Sequence, residues 1–212
     1  MALQLYYITD RRQFPGDRHE QEQRLLAKIA ECAAAGVEYI QLREKDLAPR
    51  SLEELAHKAM AALAGSRTQL LINSRTDVAL ACGAHGVHLP ANDLSASEVR
   101  SIFARAGRSE PVIGVSTHSL SEVASAEAHG ASFAVFGPVF EKSGLANREG
   151  LEQLRWICHR TEAAQPPMPI WALGGITLEN ARQCVAAGAA GIAAIRLFQE
   201  NDVRRIVAMF RG

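Results

Sequence analysis

Eight times along this chain, a short run rich in β-branched and aromatic residues gives way to a longer stretch of helical apolar spacing. The predicted strands lie near residues 4–9, 39–43, 70–73, 86–89, 112–116, 133–136, 170–173 and 191–195. The predicted helices lie near residues 20–35, 51–64, 76–82, 95–106, 120–128, 150–164, 177–187 and 202–210. In the first helix Leu25, Ile29 and Cys32 recur at helical spacing. Ser51 with Glu54 has the form of a capping box and predicts a helix start at that point. Alternation of this kind implies parallel strands covered by helices. The expected class is therefore α/β. Eight units point to a single (β/α)8 TIM barrel spanning residues 1–212, with an open doubly wound sheet as the alternative. A chain of 212 residues is near the low end for such a barrel, for which about 250 is typical. Connections must be short, and no second domain fits.

An internal echo accompanies the alternation. CAAAGVEYI, ACGAHGVHL, EAHGASFAV and VAAGAAGIAA each place a glycine (Gly36, Gly83, Gly130, Gly188) between a helix and a strand. Glycine there suits a left-handed helix cap. A repeat every two units is what a barrel of four quarters would show. Alanine-rich helices that end in glycine also look alike by composition alone.

Composition narrows the function classes. With 23 basic and 23 acidic residues, formal charge is zero, so no global field draws the chain to nucleic acid or acidic lipid. No apolar run approaches the roughly 18 residues of a membrane span. The start, MALQLYYITD, lacks the regions of a signal peptide. Cys32, Cys82, Cys158 and Cys184 are scattered and form no metal or disulfide pattern. A cytoplasmic enzyme or binding domain with reduced thiols is expected. The cysteines, Trp156 and Trp171 are read as packing residues. His19, His57, His129 and His159, with Arg204, Arg205 and Arg211, are read as surface.

Barrel chemistry sits at the carboxyl ends of the strands. The second strand ends Gln41-Leu42-Arg43-Glu44-Lys45, so Gln41, Arg43 and Lys45 would share one side. Facing inward, they suit a phosphate or carboxylate; facing outward, they are solvated charges. The third strand ends Asn73-Ser74-Arg75 and the fourth carries His88, with Asp93 in the next loop. His85 and His88 should lie on opposite faces, poorly placed to share a metal. The fifth ends Ser116-Thr117-His118, where a histidine can move a proton near neutral pH. Gly174-Gly175 after the seventh strand and Ala194-Ile195-Arg196 after the eighth stand where these barrels often hold phosphate. The glycine pair equally suits a turn that needs close packing.

In order, YYITD, QLREKD, INSRTDVALACGAHGVHLP, GVSTHSLSEV, FGPVF and ALGGIT resemble the thiamine phosphate synthase and thiazole tautomerase family, from about Leu5 to Phe198. The resemblance implies a barrel that handles thiazole phosphate in thiamine biosynthesis, and a possible homodimer. The family's synthase joins a pyrimidine diphosphate to thiazole phosphate with Mg²⁺ held by two aspartates. Its tautomerase aromatises a thiazole carboxylate phosphate by proton transfer, with its histidine in the S-x-H motif, and requires no cofactor.

Carried over by position, Gln41, Arg43, Lys45 and Asn73 match the synthase residues that hold the pyrimidine diphosphate, and Asp93 its second metal aspartate. The first metal aspartate is replaced by Ser74. After Gly137-Pro138-Val139-Phe140 the synthase's T-x-T-K run is replaced by Glu141-Lys142-Ser143, with Lys142 a candidate substitute. Leu89-Pro90 replaces a glycine–glutamine step, and Arg196 stands where the synthase has a small residue. A departing diphosphate needs metal and cation to neutralise it, whereas proton transfer needs only an anchor, a cation and a base. These departures favour a tautomerase-like isomerase. His118 would shuttle the proton, Ser116 and Asn73 would orient substrate, and Gly174, Gly175, Ala194, Ile195 and Arg196 would hold phosphate. A synthase, a transferase using Mg²⁺ at Asp93, is the alternative. A non-catalytic thiazole or thiamine phosphate-binding protein is a minor one.

Overall fold

The computed structural model describes residues 3–141, 148–161 and 167–211. Eight strands close into one parallel barrel in chain order: β1 (Gln4–Ile8), β2 (Tyr39–Leu42), β3 (Gln69–Asn73), β4 (Gly86–Leu89), β5 (Val112–Thr117), β6 (Phe133–Phe136), β7 (Ile170–Leu173) and β8 (Gly191–Ala194). Closure is through β8 against β1, where Leu5 pairs with Ile192 and Tyr7 with Ala194. Helices α1 (Arg18–Ala35), α2 (Pro49–Ala62), α3 (Thr76–Cys82), α4 (Ala96–Arg105), α5 (Leu120–Ala128), α6 (Arg148–Thr161), α7 (Ala181–Ala186), α8 (Arg196–Gln199) and α9 (Val203–Arg211) follow their strands. The (β/α)8 expectation holds, and the open sheet falls.

Strand alternation builds two shells. In β1, Leu5 and Tyr7 pack outward beneath the helices, while Tyr6 and Ile8 point into the barrel. The interior joins Tyr6 and Ile8 to Leu71, Phe133, Val135, Trp171 and Ala193. Phe133 and Trp171 stack with centroids 3.6 Å apart, and Tyr39 leans on both. These rings fill the amino-terminal end of the barrel. Glycines opposite make the room: a methyl on Gly114 would sit 2.4 Å from the Phe133 ring, and one on Gly191 2.7 Å from Trp171. Trp171 is core as expected. Trp156 is not, because it stands 52% exposed on the outer face of α6, with Arg160 over its ring.

Gly36, Gly83, Gly130 and Gly188 all adopt the left-handed conformation just past their helices. The expected cap at Ser51 does not form. Pro49, preset for the first helical turn, starts α2 two residues earlier and leaves Ser51 inside it. Ser95 does cap α4, in a reciprocal pair with Glu98. Helix α7 begins at Ala181, not Thr177. Asn180 holds the intervening residues as a turn, accepting from the Thr177 N–H and donating to the Gly175 carbonyl, each at 2.9 Å. The 3-10 turn Arg11–Gln13 and the short α8 were not anticipated. No helix among the described residues is long and apolar enough to cross a membrane.

Candidate active site

Inward-pointing residues change from aromatic to polar towards the carboxyl end of the barrel. Gln41 on β2 is buried, and its side-chain amide donates to Asn73 Oδ1 on β3 at 2.9 Å. His88 on β4 is also buried. One ring nitrogen lies 3.2 Å from the Tyr6 hydroxyl and the other 2.8 Å from Ser116 Oγ on β5. Burial, with the Arg43 charge adding to it, pushes His88 down to about 3. It is therefore a neutral imidazole at pH 7. Neither Tyr6 nor His88 was singled out from sequence as a site residue. The available signal was a polar side chain at the inward register of β4, two residues from Gly86. His85 faces the other way and accepts from the Leu70 N–H at 3.1 Å.

Ser74 is one of the few non-glycine residues with a left-handed backbone, at φ 63. That turn brings its hydroxyl to the Asp93 carboxylate, to which it donates. Among the described residues no group of three histidine, cysteine or acidic side chains could cage a metal. Mg²⁺ commonly takes one or two carboxylates and completes its shell with phosphate oxygens and water. Asp93 with the Ser74 hydroxyl beside it thus fits an ion bound jointly with a diphosphate, and does not fit one held by the protein alone.

Arg43 is half-buried and Lys45 exposed. Lys45, Asn73, Ser74 and Arg75 share a cleft of about 380 Å³. Asp93 and Ser116 line a neighbouring crevice of about 260 Å³. Across the barrel, Gly174, Gly175, Ala194, Ile195 and Arg196 line a third cavity, of about 360 Å³, joined by Gln13 from the turn after β1. Gln13 was missed because nothing in its sequence surroundings places it opposite β7. Both glycines have positive φ, and a methyl on Gly175 would come within 2.0 Å of the Glu141 carbonyl. Close packing against the β6 loop therefore accounts for the pair. No helix N-terminus stands next to the glycine pair, since α7 starts at Ala181 and not at the 177 expected from sequence.

His118 is exposed at the rim, beyond the end of β5. Its backbone N–H donates to the Glu122 carboxylate, and its ring Nδ1 lies 2.5 Å from the Gly137 carbonyl. A carbonyl only accepts, so Nδ1 is the donor in this contact. Lys142 lies outside the described residues.

Comparison with known proteins agrees with this barrel. A family model described as thiamine monophosphate synthase matches residues 5–198. A putative thiamine-phosphate synthase of Geobacter sulfurreducens is 41% identical over 90% of this chain and 84% of its own length. The thiamine-phosphate synthase of Halalkalibacterium halodurans is 34% identical over 98% of this chain and 93% of its own. Among solved structures, thiamine phosphate pyrophosphorylase from Pyrococcus furiosus superposes with a TM-score of 0.79 at 32% identity, covering 99% of this chain and 94% of that one. On a match of this extent, the chain belongs to the thiamine monophosphate synthase family.

Proposed function

We propose that the protein is a thiamine-phosphate synthase, a transferase that joins a hydroxymethylpyrimidine diphosphate to thiazole phosphate and releases diphosphate. One observation carries this over the isomerase favoured by sequence: two separate clefts open on opposite sides of the barrel mouth, with Lys45 lining one and Arg196 the other. Lys45 and Asn73 line the cleft after β2 and at β3, with Arg43 two residues before Lys45, and Gly174, Gly175, Ala194, Ile195 and Arg196 line the cleft after β7 and β8. In a closed ring of eight strands, β3 and β7 are diametrically opposed. Two separated walls suit two phosphorylated substrates.

In this reading Arg43 and Lys45 neutralise charge as it develops on the departing diphosphate. The Gln41–Asn73 pair holds the pyrimidine wall rigid, and Ser116, fixed by His88, donates or accepts at the substrate. Asp93 and Ser74 would hold Mg²⁺, which when bound offsets diphosphate charge. The cavity at β7 and β8 seats the thiazole phosphate.

The test is formation of thiamine phosphate from both substrates and Mg²⁺, followed chromatographically. Product is expected, with Asp93→Asn slower by about 10²-fold or more. His118→Asn should leave the coupling rate within about threefold, because no step here uses its Nε2. Ser74, in place of a carboxylate, favours a second reading: thiazole tautomerase, with Nε2 of His118 as the base. Absence of coupling by folded protein, with a proton shift that falls about 10²-fold in His118→Asn, would establish the second reading instead.

A further inference from the structure

The segment Arg43-Glu44-Lys45-Asp46 has no net charge, yet it must present a cationic wall. Left to themselves, Glu44 and Asp46 would neutralise the cations they alternate with. In the fold they do not. Both carboxylates turn to Arg11, which is 3% exposed in the 3-10 turn after β1. Arg11 Nη1 donates to Glu44 Oε2 and Asp46 Oδ1, each at 2.8 Å, and Nη2 donates to Asp46 Oδ2 at 2.6 Å. The Arg11 backbone N–H meets both Glu44 oxygens at 3.2 Å. The Thr9 hydroxyl completes the grip: it donates to Glu44 Oε1 at 2.7 Å and accepts from the Arg43 N–H at 2.9 Å. Arg11 lowers the Asp46 carboxyl below its ordinary value, whereas burial raises Glu44 against the opposing pull of Thr9 and Arg11.

We propose that Arg11 is a positioning residue that sorts charge at the mouth. It engages the Glu44 and Asp46 carboxylates in its own ion pairs, although Glu44 borders the same cleft as Lys45, and so leaves the charges of Arg43 and Lys45 to a diphosphate. Its planar fork suits two carboxylates at once, which a lysine does not. The Thr9 link sets the Arg43 backbone in the same stroke. This rests on the reading of Arg43 and Lys45 as the diphosphate wall.

The experiment is calorimetric titration of inorganic pyrophosphate, with Mg²⁺, into three proteins checked for folding by circular dichroism. They are the parent, Arg11→Met, and Arg11→Met/Glu44→Gln/Asp46→Asn. Arg11→Met should weaken binding by about tenfold or more, because the released carboxylates compete for the cations. The triple variant should recover to within about threefold of the parent, since its amides carry no competing charge. Loss of affinity without recovery would mean that Arg11 only props the fold, and would overturn the proposal. So would an Arg11→Met protein that binds as the parent does. A parent that binds no pyrophosphate would overturn the diphosphate wall itself, and the proposal with it. Should Arg11→Met fail to fold, Arg11→Lys with and without the two amide changes gives the same comparison.

Discussion

His88 shows what one residue contributes when it is held neutral. Its folded value lies near 3, below the ordinary 6.5, so the unfolded chain binds a proton that the folded chain refuses. The folded state therefore loses stability as pH falls below about 6.5, and goes on losing it towards about 3. Urea unfolding should show a loss of roughly 2–3 kcal/mol between pH 6.5 and 4.5. His85, also lowered by burial, adds to the same window. His88→Gln should flatten that slope, and an unchanged slope would assign it elsewhere. At this scale the sequence was partly legible. Gln41, Asn73 and Ser116 stand out as candidates because polar residues at strand ends are conspicuous, and Asp93 stands out through the family resemblance. Arg11 was not, because its partners are 33 and 35 residues away and spacing along a chain does not reveal such a pair.

Elements were easier to read than their ends. Strands β4 and β6 and helices α3 and α5 have the bounds that periodicity gives, because a glycine or a cap punctuates each. Helix α7 was misjudged because Thr177 looks like a cap until Asn180 takes its N–H from farther along the chain. Helix α2 was misjudged because proline at the first turn outranks a serine two residues later. The two serines therefore differ in weight. Ser95→Ala removes a working cap from α4 and should cost about 1 kcal/mol. Ser51→Ala removes none and should change stability by less than about 0.5 kcal/mol. Denaturation midpoints of the two variants decide it, and equal losses would count against the observed starts.

Across the whole molecule, the barrel divides its labour by height. Stacked rings fill one end, and hydrogen-bonded polar groups line the other. The architecture was legible from sequence because eight alternations admit few topologies. The choice between two chemistries was not, because Ser74 in place of a carboxylate argues for one and two clefts on opposite sides of the ring argue for the other, and those clefts exist only once the ring closes. The two ends also meet at Gly114, where an added methyl would lie 2.4 Å from the Phe133 ring and 2.9 Å from His88 Nδ1. Gly114→Ala should cost about 1–3 kcal/mol and also slow turnover by disturbing Ser116 through His88. A variant of parental stability and rate would show that the rings yield freely.

The unequal surroundings of the two tryptophans give the molecule its own optical gauge. Trp156 is half in water already, while Trp171 is sealed against Phe133 at the barrel floor. Emission from Trp156 should change little on unfolding, so a red shift would report the opening of the barrel interior. With Trp156 replaced by phenylalanine, Trp171 would be the one tryptophan left, excited selectively over the three tyrosines and seated in the layer that every strand must close around.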